Sequence, residues 1–591
     1  MLNEVLRIKD TPKEVNFLRI IFVLSLFLWG GFLPAVSCGL SVLLCLFIFN
    51  LYLTKKTTVV RQSKKKKKEI VKEVKAIKIP IDPVVIFLAV MLFLFILTCI
   101  WAVDKGMAPY GLIKYLPLPL FAIALHMTED KGRETLLMDI PYLGALMTIL
   151  SGLLALIPAI RDQFIVFGRL AGFMQYSNAF AILCLVGSAV LLLNEKTKVG
   201  ISSIVTCAVL YAGIALSGSR TVFVLWVISI PVILILRKDK KLTIMLLSLA
   251  AVFVIASVVY VAVSGKFNAI GRFLTTSADE STFVGRFLYY KDALPVILSH
   301  PFGLGYKGYQ ALQTSFQTGV YHVQYIHNDY LQVFLDTGWI TGLGGIACLV
   351  LALKKIAKQP VKFIPALMIA LHILFDFDLQ FIGIGFILII LLSSADYKEI
   401  TVESKSVAIL MVAACSLFSL YLGVADSLYL AGQNNACLAV YPRHTDALTM
   451  ELTKKETVKE LDDYSGRILR LNDASSIAYS AKARAAFAQG NVQSMIYYKL
   501  KAIGNYKYNL AEYTDFIDYL NRSVEIYLGI GEEDKAMDTM RYIVLTDKML
   551  EDVKSSTSDL AYKINDKPDL ELPDSYRTIV DAYKDYVVKS E

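Results

Sequence analysis

The chain has 591 residues, of which 56% are hydrophobic and only 19% are charged. Its mean hydropathy of +0.55 excludes an ordinary soluble protein, in which about 45–50% of residues are apolar. The formal net charge of +9 is concentrated between Lys55 and Lys78. We interpret this charge as a sign of membrane topology and of attraction to lipid headgroups, and no nucleic-acid partner is expected.

Long apolar segments recur along the chain. A helix needs about 20 apolar residues to cross a hydrocarbon core about 30 Å thick. Segments near this length predict an all-α, polytopic bundle of about 12–13 transmembrane helices. The short pair around Phe375–Gln380 is open to a second interpretation as re-entrant segments. The predicted spans are 16–33, 34–53, 83–103, 110–127, 136–159, 177–194, 199–217, 221–236, 242–263, 330–353, 363–377, 379–394 and 407–427.

The basic connecting segments predict the orientation of the bundle. They all fall on one side if every predicted span crosses, and basic residues near span ends stay in the cytoplasm. The amino terminus is therefore predicted inside and the carboxyl terminus outside the cytoplasmic membrane. These segments are Lys55–Lys78, Glu129–Arg133, Glu195–Lys198, Arg237–Lys241, Lys354–Lys362 and Lys398–Lys405.

The eight cysteines are scattered and form no Cys-x-x-Cys pair. The spacing therefore predicts neither a zinc site nor a disulfide framework. The first apolar segment is followed directly by a second one, so we interpret it as a retained span and not as a cleaved signal peptide.

Two long polar regions, the outer loop and the carboxyl-terminal tail, interrupt the pattern of spans, and the chain has three predicted parts. The outer loop has about 60 residues, far above the usual median of about 4–6, and this length indicates a functional loop. Its stretch Phe283–His300 has apolar residues at helical spacing, which predicts a helix lying on the membrane surface. The parts are 1–82 (two spans and the basic loop), 83–430 (a membrane domain with the outer loop 264–327) and 431–591 (an outer soluble domain).

The soluble tail contains two predicted helix–turn–helix pairs, at 479–503 and 520–545, with turns at Gly490-Asn491 and Gly529–Glu532. Small residues in the turns and alanines at helix crossings resemble tetratricopeptide repeats. Such helical repeats form concave surfaces that bind a partner protein or an acceptor. A purely structural cap is the alternative for this domain.

Several polar residues interrupt apolar sequence at the predicted outer ends of spans. Arg220 follows Ser217-Gly218-Ser219, and its guanidinium group can bind phosphate with two hydrogen bonds or simply extend to the membrane interface. Arg286 begins the surface helix, where contact with water or lipid phosphate is the plainer interpretation. His327, in the segment Ile326–Tyr330, can accept a proton from a hydroxyl group or serve a structural role.

His372 and Asp376 are four residues apart, which would place them on one helix face. An imidazole–carboxylate pair there can bind substrate or join two helices. Asp376-Phe377-Asp378 also matches the metal-binding Asp-x-Asp pattern of nucleotide-sugar glycosyltransferases. Because nucleotide sugars are not supplied at the outer face, we treat this match as accidental and predict no metal and no cofactor.

The order of these motifs resembles the O-antigen ligase and polymerase family over about Arg169 to Leu392. Five short motifs follow one another on the predicted outer side, after an Arg…Asn segment that runs from Arg169 to Asn178. The motifs are Gly-Ser-Arg at 218–220, Gly-Arg at 285–286, Pro-x-Gly-x-Gly at 301–305, His-Asn-Asp-Tyr at 327–330 and His-x-x-x-Asp at 372–376.

The resemblance implies a glycosyltransferase in the cytoplasmic membrane of a bacterium. Members of that family move a glycan from an undecaprenyl-pyrophosphate carrier to a lipid, glycan or protein acceptor at the outer face, without metal or nucleotide. By position, Arg220 and Arg286 would bind the pyrophosphate, and His327 would be the general base. Further residues implied to contact substrate are Arg169, Asn178, Tyr306, Asn328, His372 and Asp376.

Three alternatives remain beside a ligase. A polysaccharide polymerase of the same family would have the same motifs. A transporter or flippase would have charges near the bilayer midplane and internal repeats among the spans, and the sequence has neither pattern. A non-catalytic docking protein that presents the soluble tail would leave the arginines and the histidine of the outer face unexplained.

Overall fold

The computed structural model describes residues 11–62, 69–197, 200–264, 281–394 and 397–590. The lysine run at 64–68 and the part of the outer loop at 265–280 lie outside these residues. The structure is 75% helical with almost no sheet. The chain is therefore an all-α, polytopic membrane protein, as the hydropathy pattern predicts.

Each predicted span contains a helix, and 110–127 and 330–353 each contain two consecutive helices. Among the described residues, six helices are long and apolar enough to cross a membrane, counting α4 and α5 together as Ala108–Met127, and five further apolar helices are shorter. The helices are α1 (Lys13–Phe27), α2 (Pro34–Thr54), α3 (Pro83–Thr98), α4 (Ala108–Tyr115), α5 (Pro117–Met127), α6 (Glu129–Leu154), α7 (Ser177–Leu193), α8 (Ile201–Ser217), α9 (Arg220–Arg237), α10 (Lys240–Ser264), α11 (Ser281–Ser299), α12 (Gly308–Phe316), α13 (Asp329–Thr337), α14 (Trp339–Ile356), α15 (Pro360–His372), α16 (Ile382–Leu392) and α17 (Lys405–Leu430).

The strands of the described residues are short and occur in antiparallel pairs. β1 pairs with β2, β3 pairs with β6, and β4 pairs with β5. The strands are β1 (Thr57–Gln62), β2 (Glu69–Val74), β3 (Ile77–Pro80), β4 (Ile165–Val166), β5 (Arg169–Leu170) and β6 (Glu399–Val402).

The predicted span 330–353 is wrong in one respect, because a break at Gly338 divides it into α13 and α14. Gly338 has a φ of 85°, and a Cβ atom there would lie 2.3 Å from the carbonyl oxygen of Pro301. The amide of Trp339 donates a hydrogen bond of 2.9 Å to the same oxygen. Only glycine permits this close backbone contact with a left-handed conformation, so the turn after α11 fixes where α14 begins.

Helix α7 lies at the centre of the bundle, because all 17 of its residues are buried. It packs against α6, α8, α9 and α15. A helix that is apolar on every side is stable only when other helices surround it. Its amino-terminal turn, which contains Asn178, opens onto the candidate site described below.

Three of the basic segments, Lys55–Lys78, Lys354–Lys362 and Lys398–Lys405, make contacts at one end of the bundle. The β3–β6 pairing joins the segment after the lysine run to the segment before α17. Glu399 contacts Lys78 Nζ at 3.0 Å and His126 Nε2 at 3.0 Å. Lys362 Nζ donates a hydrogen bond of 2.9 Å to the carbonyl oxygen of Ser393. These contacts agree with the prediction that the basic segments share one side.

The carboxyl-terminal part is helical throughout most of its length. Both predicted helix–turn–helix pairs are confirmed as α21–α22 and α23–α24, although the relation to tetratricopeptide repeats stays a prediction. Buried residues of α18 to α21 belong to the same hydrophobic core as the bundle, so the described residues show no separate core at the predicted boundary 430/431. The helices are α18 (Asn434–Val440), α19 (Thr445–Leu452), α20 (Val458–Leu471), α21 (Ser476–Ala488), α22 (Val492–Asn505), α23 (Leu510–Gly529), α24 (Glu533–Ser556) and α25 (Asp574–Ser590), with a 3₁₀ turn at Asp559–Lys563.

The carboxyl-terminal helices are attached to the end of the bundle that carries the outer loop. Lys307 Nζ forms an ion pair of 2.6 Å with Asp446. Asp104, between α3 and α4, accepts a hydrogen bond of 2.6 Å from the hydroxyl of Thr445. Removing one partner of such a buried polar contact leaves an unpaired group, so these contacts fix α19 on the bundle.

Candidate active site around a buried carboxylate

Asp376 lies at the centre of a buried polar cluster. Its side chain is almost inaccessible, and both carboxylate oxygens are engaged. Oδ1 accepts hydrogen bonds from the hydroxyl of Tyr176 (2.6 Å) and from the amide of Phe377 (3.0 Å). Oδ2 accepts from Nδ2 of Asn178 (2.5 Å) and from Nη2 of Arg286 (3.3 Å). Residues from three distant parts of the chain therefore meet at one carboxylate.

The prediction that His372 and Asp376 share a helix face is wrong. Helix α15 ends at His372, and Asp376 lies in the turn that follows. The carbonyl oxygen of Ile373 accepts a hydrogen bond from the amide of Asp329, and that of Leu374 accepts one from the side chain of Asn328. These tertiary hydrogen bonds hold the residues after His372 in a non-helical turn.

His372 pairs instead with Asp378. The imidazole Nδ1 and the carboxylate form a hydrogen-bonded ion pair, and both side chains are completely buried. The second carboxylate of the Asp-x-Asp pattern is therefore the partner of His372. The predicted contact of His372 with substrate stays a prediction.

Arg286 reaches Asp376 from the surface helix α11. Its side chain is 11% exposed, and its Nε atom is buried without a hydrogen-bond partner among the described residues. Burial lowers the pKa of Arg286, but Asp376 and its neighbours raise it more, so the guanidinium stays charged. Burial raises the pKa of Asp376, but the charge of Arg286 and the contact with His327 lower it by more. The net effect is a pKa below the ordinary value, so this carboxyl stays ionised.

His327 approaches the same carboxylate from the side of Oδ1. Its Nδ1 is 3.5 Å from Oδ1 of Asp376, which is an electrostatic contact longer than an ordinary hydrogen bond. Burial lowers the pKa of His327 below its ordinary value and outweighs the attraction to Asp376. The residue has a φ of 57°, a conformation that costs free energy outside glycine and is often retained at functional sites.

Tyr290 holds the strained backbone of His327. Its hydroxyl donates to the carbonyl oxygen of His327 at 2.6 Å and also lies 3.2 Å from that of Leu374. Because Tyr290 and Arg286 are four residues apart on α11, they face the same side of the helix. One helix face therefore supplies both the cation and the support of the histidine loop.

Arg169 and Asn178 extend the cluster toward Arg220. Nη2 of Arg169 donates to Oδ1 of Asn178 at 2.6 Å, and its Nε donates to the carbonyl oxygen of Ser217 at 2.6 Å. Gly218, with a φ of 59°, ends α8 and allows the sharp turn. Arg220 begins α9 three residues after Ser217. The described contacts thus connect the turn that precedes Arg220 to Asp376 through two side chains.

Three further predicted substrate contacts make internal contacts in the described structure. Tyr306 is 1% exposed and packs in the main hydrophobic core, against Gly111 of α4. Asn328 uses both ends of its amide within the protein: Oδ1 caps α13 at the amide of Leu331, and Nδ2 donates to Leu374. Both oxygens of Asp376 accept hydrogen bonds from neighbouring residues. A contact of these residues with substrate stays a prediction.

Sequence reasoning missed Tyr176 and the positioning role of Tyr290. Tyr176 stacks on Phe377, with ring centroids 4.7 Å apart, and directs its hydroxyl to Asp376. Its position was a usable signal, because Tyr176 immediately precedes the apolar helix α7 and Asn178 lies in the first turn of that helix. For Tyr290, the only signal was its helical spacing from Arg286.

An apolar cavity of about 130 Å³ lies next to the cluster. Its polar lining includes Asp329 and Gln380, which belong to the same loops as His327 and Asp376. Side chains of α3, α14 and α16 supply the apolar lining, among them Phe87, Met91, Leu349 and Leu388. Among the described residues, no group of three or more His, Cys, Asp or Glu side chains is arranged to hold a metal ion.

A comparison with family models places this cluster in a known context. The model described as O-antigen ligase matches residues 204–346. The match contains Arg220, Arg286 and His327, whereas Arg169, Asn178 and Asp376 lie outside it. A search of curated proteins found no match. Residues 204–346, about a quarter of the chain, are therefore similar to the O-antigen ligase family.

Proposed function

We propose that the protein transfers a glycan from a polyprenyl-pyrophosphate carrier, undecaprenyl pyrophosphate in a bacterium, to an acceptor hydroxyl at the outer face of the cytoplasmic membrane. One observation carries this proposal. A guanidinium group (Arg286) and an imidazole (His327) lie on opposite oxygens of one buried carboxylate, at an end of a membrane bundle.

Arg286 is suited to bind the pyrophosphate of the donor. Asp376 fixes one side of its guanidinium group, and the buried Nε still lacks a partner among the described residues. A buried donor without a partner costs about 1–3 kcal/mol, which a phosphate oxygen would recover. Helices α7 and α9 begin near the cluster, and the positive ends of their dipoles favour an anion there. Arg220 is the proposed second cation, in the first turn of α9.

His327 is suited to act as the general base. Its lowered pKa keeps the imidazole neutral at pH 7. Because Nδ1 faces Asp376, Nε2 is the nitrogen that we assign to the acceptor hydroxyl. When the imidazole takes up the proton, the ionised Asp376 stabilises the positive charge, as a carboxylate does behind a catalytic histidine.

The proposed chemistry is a single displacement at carbon 1 of the donor sugar. The acceptor oxygen forms a bond to carbon 1 while its proton moves to His327. The bond between carbon 1 and the phosphate oxygen breaks, and the pyrophosphate leaves with the electron pair. Negative charge grows on this leaving group, so fixed cations stabilise the transition state more than the ground state. No metal is needed for these steps.

The surroundings of the cluster support a lipid-linked donor. The apolar cavity beside Asp329 and Gln380 provides a lining for isoprenoid units. Helix α11 also carries a stripe of exposed apolar residues that suits the surface of a bilayer. These residues are Phe283, Phe287, Leu294 and Leu298.

The proposal includes the predicted topology. The basic segments would face the cytoplasm, together with the amino terminus. The outer loop and residues 431–591 would then face outward, where the carboxyl-terminal helices contact the acceptor or a partner protein. A ligase attaches the glycan to a lipid or protein, whereas a polymerase adds it to a second carrier-linked glycan.

The test uses the purified full-length protein in lipid nanodiscs. It is incubated with a polyprenyl-pyrophosphate oligosaccharide, a chelator and lipid, glycan or protein acceptors, and products are identified by mass spectrometry. We expect transfer in the chelator, and a loss of about 10²–10³-fold in the Arg286→Ala protein, typical for one electrostatic donor. Full transfer by both Arg286→Ala and His327→Ala would refute the proposal. A ladder of longer carrier-linked products would identify a polymerase.

A further inference from the structure

Helix α11 is held on two opposite sides. One side presents Arg286 and Tyr290 to the cluster around Asp376. Val284 and Leu288 lie two residues before each of these, about 200° around the helix, and therefore on its other side. Both are buried against Ala561 and Ile564 of the carboxyl-terminal part. The helix that carries the candidate cation is thus packed between the bundle and the distant end of the chain.

Polar contacts join the same two parts. The hydroxyl of Ser558 accepts a hydrogen bond of 3.3 Å from Lys291 of α11, and the amide of Ser558 donates one of 2.8 Å to the carbonyl oxygen of Thr318. The amide of Asn565 donates one of 2.9 Å to the hydroxyl of Ser281, at the start of α11. Contacts therefore reach α11 along most of its length.

The buried carboxylate of Asp292 connects α11 to the loop that precedes His327. Asp292 of α11 accepts hydrogen bonds from the amide and hydroxyl of Thr318 (2.8 and 2.7 Å) and from the hydroxyl of Tyr321 (2.9 Å). Between these residues lies Gly319, where a Cβ atom would be 2.6 Å from Cβ of Ala561. The loop before His327, α11 and the carboxyl-terminal segment thus form one closely packed unit.

We propose that residues 558–565, here called the brace, position α11 so that Arg286 and Tyr290 meet the Asp376 cluster. This inference rests on the proposed function. It assigns the carboxyl-terminal part a role in the geometry of the active site, in addition to any contact with an acceptor. The brace touches neither Asp376 nor His327 in the described contacts, so its residues are positioning residues and not catalytic ones.

The expected effect of a displaced brace is on turnover. A shift of about 1 Å at a catalytic group can lower the rate by about 100-fold, even when the altered residue is remote. The acceptor KM should change little, since the brace does not form the contacts that select an acceptor. A merely structural cap would instead lower the yield of folded protein and leave the turnover of each folded molecule intact.

The most direct variant is Gly319→Ala, made in the full-length protein. The added methyl group overlaps Ala561 and approaches Cδ2 of Leu288 at 2.9 Å, so the brace or α11 must move. We expect turnover to fall by about 10- to 100-fold with a similar unfolding temperature. The double variant Gly319→Ala with Ala561→Gly removes the overlap with the brace and leaves only the approach to the flexible side chain of Leu288. We expect it to recover most of the lost turnover.

A matched control uses the same substitution at an open position. Gly504 lies on α22, and no atom of a neighbouring residue lies within 4 Å of the place that an added methyl group would occupy. Gly504→Ala should therefore keep full turnover. If Gly319→Ala does not fold, Ser558→Ala decides, because it removes only the hydroxyl that accepts from Lys291 of α11 and from the amide of Leu560 within the brace. Loss of the bond to Lys291 should lower turnover by about two- to tenfold, which is typical of one hydrogen bond.

The outcomes separate the two proposals. Unchanged turnover in Gly319→Ala, or in Ser558→Ala if the first variant does not fold, overturns the brace while Arg286→Ala remains impaired. A lower turnover that the Ala561→Gly change does not recover also overturns it, because the loss would not arise from contact with the brace. Full turnover in both Arg286→Ala and His327→Ala refutes the proposed function itself.

Discussion

Arg286 and Asp376 lie 90 residues apart in sequence, and Nη2 of the arginine is 3.3 Å from Oδ2 of the carboxylate. Both side chains are buried, with exposed fractions of 11% and 2%. A buried charge is stable only when it is paired or hydrogen-bonded. The pair therefore determines how α11 meets the turn after α15, and it keeps a fixed cation near the imidazole of His327.

We expect the substitution Asp376→Asn to lower turnover by at least about 100-fold, since a similar change behind a catalytic histidine lowers kcat by about 10⁴-fold. The variant keeps the size of the side chain but removes the charge that orients Arg286 and His327. Rates are measured by the glycan-transfer assay. As a milder control, Tyr176→Phe removes one hydrogen bond to the carboxylate and one that the hydroxyl accepts from Asn178, and it keeps the charge. Equal rates in Asp376→Asn and the unchanged protein would contradict the role of the carboxylate.

The rate of transfer should depend on the protonation of His327. The group acts as a base only when neutral, so activity is lost as the pH falls through its pKa. Burial lowers this pKa, and the midpoint of the acid limb of kcat/KM should thus lie below the ordinary value of about 6.5. The pH profile of kcat/KM is measured in nanodiscs from about pH 4.5 upward. Steps of roughly half a pH unit suffice to locate the acid limb. A midpoint above the ordinary value would contradict the described environment.

His372 should matter for stability and not for acceptor binding. Replacing it by leucine leaves Asp378 buried without its partner, which should cost about 3–5 kcal/mol. Replacing both residues by leucine removes the unpaired charge, so the double variant should be more stable than the single one. The free energy of unfolding of the single and the double variant is measured by denaturant titration in detergent. An altered acceptor KM with unchanged stability would instead identify His372 as a substrate contact.

Labelling can test the orientation on which the proposal rests. His322 and Lys358 are both exposed, the first in the outer loop and the second in a basic segment. In intact cells, a membrane-impermeant maleimide should label His322→Cys but not Lys358→Cys. Lys358→Cys should react only after the cells are opened. The unchanged protein gives the background of its native cysteines, and labelling of Lys358→Cys from outside would reverse the topology.

The spans could be predicted from sequence because apolar length is a local property. Each predicted span coincides with a helix or with two consecutive helices, as 330–353 does. The break at Gly338 was not predictable, since it depends on a contact with Pro301. The end of α15 at His372 depends in the same way on donors from Asp329 and Asn328. Hydropathy identifies helices, but tertiary contacts determine where they end.

In the candidate site, too, some features could be predicted from sequence and others depend on tertiary contacts. Arg169, Asn178, Arg286 and His327 were identified from motif order, and the structure brings them to one cluster. Which carboxylate each one contacts could not be deduced, because helical spacing suggested a pair between His372 and Asp376. The loop conformation reversed that assignment and gave His372 to Asp378. Spacing rules hold only while the helix continues.

The β3–β6 pairing has a consequence for the synthesis of the protein. β3 leaves the ribosome long before β6, and every span from α3 to α16 is made in between. At about 5–20 residues per second, β3 waits on the order of tens of seconds for its partner. An unpaired strand is prone to join other chains. We therefore expect the nascent chain to depend on rapid insertion, or on a chaperone, until β6 is made and pairs with β3.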